Sequence, residues 1–243
     1  MRLLIVLLAL LYTTGLTFAQ ELGKDSRLLI AGTSNLKIKN DRAVAVFSLF
    51  EEDKDKEVAA SALNKRAKDI LDRLKANYQD VEVSTTSYSV EPIEEELETQ
   101  ISQTKKSIKS QRVAWRVSQT VVLRTTVLSI LPKLISELQK KMELESLRFE
   151  LSESAQKRAE KDRLEAAYRN LFERMDVVAQ IMGKTSVDFS IESLDFDGLD
   201  NGSGRYQTVE VSGSSVRRKG TDPSFEPGTT NVKGRVEARV KMK

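Results

Sequence analysis

The sequence predicts an α+β protein with mixed or antiparallel sheets packed against one long and two shorter amphipathic helices. The period of the hydrophobic pattern switches repeatedly between two residues and about 3.6 along the chain. Strand-like and helix-like segments interleave irregularly, and several neighbouring strands are joined by short turn sequences. The 243 residues, 40% hydrophobic and 31% charged, suffice for one large or two small cores.

The chain opens MRLLIVLLALLYTTGLTFAQ. Arg2 precedes an apolar run from Leu3 to Tyr12, and Thr17-Phe18-Ala19 supplies small residues at a cleavage site, so residues 1–19 read as a signal peptide. The run is shorter than the roughly 20 residues of a membrane span, and no stable transmembrane anchor is expected once it is removed. No cysteine stands at the cleavage point to carry a lipid.

The mature chain is then one domain over 20–243. Ser26–Lys39 and Arg42–Phe50 are β-rich on either side of Asn40-Asp41, a turn pair, and Gly32 suggests a bulge. From Glu51 to Tyr78, Val58, Ala62, Ala67, Ile70, Leu71, Leu74 and Tyr78 recur at helical spacing. Residues 80–92, DVEVSTTSYSVEP, form a strand closed by Pro92. The stretch 91–110 reads as a charged connector and Gln111–Val127 as a strand, with Trp115 on its apolar face. Leu128–Met142 is a helix with Pro132 in its first turn. Leu144–Leu151 is a strand.

Ser152 caps the long helix, whose expected buried stripe is Ala155, Ala159, Leu164, Ala167, Tyr168, Leu171, Met175, Val178 and Met182. Gly183 ends it in a left-handed cap. Thr185–Phe196 is a strand, 197–230 a Gly-, Ser- and Pro-rich flexible loop, and Val232–Met242 a last alternating strand. Two sub-lobes are suggested, 26–91 with 184–243, and 111–183.

The segment Ile30-Ala-Gly-Thr-Ser-Asn-Leu-Lys-Ile-Lys-Asn-Asp41-Arg-Ala43 resembles the opening of the SIMPL domain family (DUF541). So does Val83-Ser-Thr-Thr-Ser-Tyr-Ser-Val-Glu-Pro92, like that family's strand after the first helix. Leu151-Ser-Glu-Ser resembles the entry to its long helix, and Pro227-Gly228 its C-terminal element. Asn40 stands where family members usually carry Pro, and Arg112-Val-Ala-Trp115 replaces a Gly- and Tyr-containing approach. The resemblance implies an envelope or periplasmic protein, associated in some members with stress tolerance, and not an enzyme.

The residues themselves exclude several classes. Cysteine and histidine are both absent, which removes disulfides, thiolate and imidazole ligands, and triads that need an imidazole base. The formal charge of +3 is interspersed along the chain, so no nucleic-acid footprint is expected. The hydroxyl row of 80–92 has no neighbouring base to activate it and reads as an ordinary strand, with Ser84, Thr86 and Tyr88 on one face and Thr85, Ser87 and Ser89 on the other.

Asp195-Phe-Asp197-Gly198-Leu-Asp200 misses the spacing of a calcium loop. Glu51–Glu57 reads as a solvated helix start. Arg217-Arg218-Lys219 carries fewer than the roughly four to eight charges of a lipid-binding cluster. No catalytic, cofactor-binding or metal-ligating residue is assigned, and no cofactor is expected.

The function expected is that of a non-enzymatic, periplasmic or secreted envelope protein acting through self-assembly or an envelope protein partner. The alternative is a binding module for a small molecule or envelope polymer in a cleft between sheet and helices. An intracellular signalling adaptor is disfavoured by the N-terminal segment. Self-association is expected through Val232–Met242 or Gln111–Val127, each placed at a sheet edge.

Overall fold

The structure, a computed structural model, describes residues 26–102, 105–196, 206–208 and 224–243. The expected signal peptide over 1–19 lies outside these residues, as do most of the 197–230 loop and Arg217-Arg218-Lys219. Within that loop, 206–208 form a short strand and 229–230 begin the last one.

The elements run β1 (Arg27–Lys39), β2 (Arg42–Asp53), α1 (Lys56–Asn77), β3 (Glu82–Ser102), β4 (Lys105–Thr125) and α2 (Leu131–Leu138). Then come β5 (Glu143–Glu150), α3 (Glu153–Ile181), β6 (Phe189–Phe196), β7 (Tyr206–Thr208) and β8 (Thr229–Met242). The α+β class is as expected. One antiparallel sheet is ordered β3-β4-β2-β5, the other β1-β8-β6 with β7 also on β8.

The described residues form two compact units, one drawn from 34–165, 206–208 and 224–234, the other from 26–33, 166–196 and 235–243. The division falls inside β1, α3 and β8, whereas the sub-lobes suggested by the sequence were bounded in connections.

In the larger unit, the inner face of the β3-β4-β2-β5 sheet packs on α1 and α2. Phe47, Leu63, Val117, Val121 and Ile135 are completely buried there. Each such side chain is worth about 1.5–3 kcal/mol of burial. Asp55 starts α1: its Oδ1 accepts from the Glu57 and Val58 amides at 2.7 and 3.4 Å. Glu51–Asp53 therefore continue β2 and are not the helix start that the acidic run suggested. The cap also sets the phase of the helix. Ala59, Leu63, Ala67, Ile70 and Leu74 are buried, while the expected Val58 and Ala62 are exposed.

Ser152 caps α3 as expected, its hydroxyl accepting from the Ala155 amide at 3.2 Å. The buried stripe of α3 shifts in its middle. Arg163 is 2% exposed and Leu164 only half-buried, because the guanidinium closes on the Glu160 carboxylate through Nε and Nη2 at 2.6 and 2.5 Å.

In the smaller unit, Ile30 of β1, Ala167, Leu171 and Met175 of α3, and Val236, Ala238 and Val240 of β8 share a core. Tyr168 stays 39% exposed. Gly32 lets helix and strand meet: a Cβ there would run into the Ala167 carbonyl and lie 2.5 Å from the Leu171 amide nitrogen. Gly183 has φ of 66°, and the bonds from Lys184 N–H to Ala179 O and from Gly183 N–H to Gln180 O complete a left-handed helix stop.

The largest departure concerns 91–110. It is not a connector but the continuation of β3 and β4, which pair from Glu82 opposite Arg124 to Ser102 opposite Lys105, with register shifts at Thr85/Ser87, Ile93/Glu94 and Gln100/Ser102. Pro92 does not close β3. A strand at a sheet edge tolerates a missing N–H, and β3 is an edge.

The expected edges are also corrected. β8 lies between β1 and β6, and β4 lies between β3 and β2 wherever β2 is present. An alternating strand with one charged face is as compatible with the middle of a one-sided sheet as with its edge.

Candidate functional site

Three surfaces of the larger unit carry the chemistry on which a function can rest. The first is the hydroxyl row. A bulge between Thr85 and Ser87 resets the alternation, so Ser84, Ser87 and Ser89 lie opposite Val122, Thr120 and Ser118, all on one face. This corrects the faces read from strict alternation. The hydroxyls satisfy one another, Ser87 to Thr120 at 2.9 Å and Ser89 to Ser118 at 2.7 Å, while Arg124 donates to Ser84 at 3.0 Å. Tyr88 and Val90, on the other face, remain exposed. No carboxylate or amine engages this ladder as a base, so its geometry is that of cross-strand pairing.

Among the described residues, two serines do touch carboxylates. Ser152 donates to Asp41 Oδ2 at 2.7 Å, but the same hydroxyl caps α3, and the Ser152 amide donates to Asp41 Oδ1 at 2.6 Å. That arrangement locks a helix start onto the β1–β2 turn. Ser110 donates to Glu94 Oε2 at 2.6 Å, and both residues are exposed.

The second surface is an open groove of about 540 Å³ lined by Ser48–Glu52 of β2, Arg66 of α1, Gln139–Met142 before β5 and Glu143 at its start. It exists because β5 begins at Glu143 opposite Ser48, leaving Leu49–Asp53 with a strand partner on the β4 side only. Arg66 takes the place of the absent strand. Its Nη1 donates to Glu51 Oε1 at 2.7 Å and to the Phe50 carbonyl at 3.5 Å, and its Nη2 donates to the Lys141 carbonyl. The sequence reading passed over Arg66, which looks like any charged residue on the outer side of a helix.

The third is the far half of β3 and β4. β2 ends at Asp53 opposite Trp115, so the stretches 93–102 and 105–114 pair only with each other among the described residues. They form a two-stranded ribbon about 30 Å long at a rise of about 3.3 Å per residue. Trp115 stands at its foot, half-buried rather than in the core, with Arg112 Cζ 4.8 Å and Lys56 Nζ 5.8 Å from its ring centre. Such contacts are worth about 0.5–1 kcal/mol each at exposed sites. A change from acidic to basic residues midway through 91–110 was the one signal of this ribbon in the sequence.

The remaining sequence candidates do not converge. Asp195 is the residue before the last of β6, and Asp197 and Asp200 lie outside the described residues. Among the described residues, no three Asp or Glu side chains come together as a metal site. No described helix is long and apolar enough to cross a membrane.

Fold and surfaces together define an α+β protein whose distinctive chemistry lies in open strand edges. Residues 28–240 match the SIMPL family, described as a protein of unknown function (DUF541), and the chain belongs to that family. Comparison with curated proteins finds no match.

Proposed function

We propose that this chain is a non-enzymatic exported protein, periplasmic or secreted, that acts in the cell envelope through self-assembly or contacts with other envelope proteins and serves stress tolerance there. The observation that carries the reading is the ribbon of 93–102 and 105–114, which among the described residues has no further strand on either side. An isolated two-stranded ribbon is marginal in water, and unpaired edges are templates for further strands. The resemblance of the N-terminal segment to a signal peptide supports export, and the mature protein should begin at or near Gln20 by mass spectrometry. Light scattering and native mass measurement on that protein test the assembly. An oligomer is expected at micromolar concentration; a monomer that persists at low salt would refute it.

The groove beside β2 supports a second reading, a binding module for a small molecule or envelope polymer. Three acids, Glu51, Glu52 and Glu143, and three bases, Arg66, Lys140 and Lys141, line it around the exposed ring of Phe50. This reading moves to first place if the protein is monomeric.

A further inference from the structure

The ribbon is divided by charge. Its β3 half carries Glu94, Glu95, Glu96 and Glu98 and no base; its β4 half carries Lys105, Lys106, Lys109 and Arg112 and no acid. Within one chain the register sets most of these charges diagonal to one another, as Glu95 is to Lys109 and Glu96 to Arg112, rather than directly opposite. It sets Glu95 opposite Gln111, Glu96 opposite Ser110 and Glu98 opposite Ile108. It sets Lys109 opposite Leu97, Lys106 opposite Gln100 and Lys105 opposite Ser102. Only Glu94 faces a base directly, in Arg112. Glu94, Glu95 and Glu96 are exposed, as is Arg112.

We infer that the ribbon is a polar coupling between copies of this chain, the acidic β3 edge of one copy pairing with the basic β4 edge of the next. The inference rests on the assembly reading above and specifies its geometry. Opposite charges directly across a strand pair stabilise it and like charges destabilise it. Pairing β3 with β3, or β4 with β4, as a two-fold contact through this ribbon requires, sets acids against acids or bases against bases. Pairing β3 with β4 sets the two charge sets against each other. That interface joins different surfaces of the two copies, so it repeats head to tail and ends only by closing a ring; otherwise it runs on as a filament. The exposed charges also make its strength depend on salt.

The test reverses charges that face neutral partners within the chain, which spares the ribbon's own direct pairs. One variant carries Glu95→Lys, Glu96→Lys and Glu98→Lys; a second carries Lys105→Glu, Lys106→Glu and Lys109→Glu; a third carries all six. Sedimentation of the mature proteins is expected to show association weakened by about tenfold or more in each triple variant, as bringing several like charges opposite one another implies. An equal mixture of the two triple variants should reassemble, and the six-fold variant should assemble like the wild type. Wild-type association should weaken as salt rises.

A wild-type protein that is monomeric at low salt overturns the assembly reading and this inference with it. A wild-type oligomer that survives both triple reversals overturns this inference alone. So does a two-fold dimer joined through the ribbon, or a mixture of the triple variants that stays dissociated.

Discussion

Thr230 donates its hydroxyl to the side-chain oxygen of Asn40 at 2.6 Å, across 190 residues of sequence. Asn40 is 2% exposed and completes the junction by donating Nδ2 to the carbonyls of Pro227 and Phe149, at 2.9 and 3.3 Å. Its backbone N–H reaches the Gly228 carbonyl at 3.2 Å. One amide thus ties the β1–β2 turn to β5 and to the start of β8. Asn40→Ala leaves several buried polar groups without partners and should lower stability by about 3 kcal/mol in denaturant unfolding. Asn40→Pro also removes the backbone bond to Gly228 and should be no milder. A neutral Asn40→Pro would mean that the junction rearranges.

The neighbouring Asp41 holds Ser152 through two short bonds from its carboxylate. Asp41→Ala should cost about 2 kcal/mol, since hydrogen bonds to a charged group are worth about 1.5–3 kcal/mol. Asp41→Asn retains one acceptor and should fall between the two. Amide exchange at the first turn of α3 should rise in step with the loss of stability, and unchanged exchange there would assign the cost elsewhere.

How far this architecture could be read from sequence depends on whether a segment faces a core. Ala167, Leu171 and Met175 of α3 are buried as their spacing predicts, because a helix against a sheet must hide one stripe. The phase of α1 was misread because Val58, Ala59, Ala60 and Ala62 offer apolar residues on two faces, and only the Asp55 cap decides between them. The ribbon was illegible for a different reason. Beyond Trp115 no described strand or helix lies against the paired strands to impose an alternating pattern. The Asn40 junction is read as a local turn from its neighbours, while its partners lie more than 100 residues away. Arg66 gains its meaning only from where β5 happens to begin.

Gly32 gives a steric prediction. A Cβ on it would lie 2.7 Å from Leu171 Cβ and closer still to backbone atoms of α3. Backbone cannot step aside as a flexible side chain can. Gly32→Ala should therefore destabilise by about 3 kcal/mol, the upper range for overpacking, seen as a lower denaturation midpoint with little change in its slope. Gly183→Ala, where no atom lies within 4 Å of the new Cβ but φ is 66°, should cost less, about 1 kcal/mol.

Tyr78 gives a pH prediction. Burial, and then the hydrogen bond to Glu137 Oε2 at 2.7 Å, push its phenol up to about 12. The protonated phenol is thus favoured by the fold. Its contribution is complete below the ordinary value of 10.0 and is lost as pH rises toward about 12. The stability difference between wild type and Tyr78→Phe should be constant below that window and narrow through it. Tyr78 should ionise late in a near-ultraviolet titration, and the Phe variant should lack that late phase. Ionisation together with an unperturbed tyrosine would show that Glu137 does not hold it.

Arg66 supplies the last prediction, because it separates protection of an edge from ordinary stabilisation. Its guanidinium bridges the Phe50 carbonyl and the Lys141 carbonyl where β2 outruns β5, while also pairing with Glu51. The side chain is 42% exposed, so the ion pair contributes little, about 0–1 kcal/mol. Its larger consequence is that it occupies the Phe50 carbonyl and covers the stretch of β2 on which another strand would otherwise template. Arg66→Ala should lower the melting temperature only slightly yet raise time-dependent scattering at high protein concentration. Arg66→Lys keeps the charge, but a single ammonium lacks the planar fork that reaches two carbonyls at once, so it should restore the ion pair and protect the edge only in part. Equal scattering from all three proteins would show that the end of β2 is guarded by something other than Arg66. A rise in both variants that tracks their melting temperatures would show instead that unfolding, and not the open edge, drives the association.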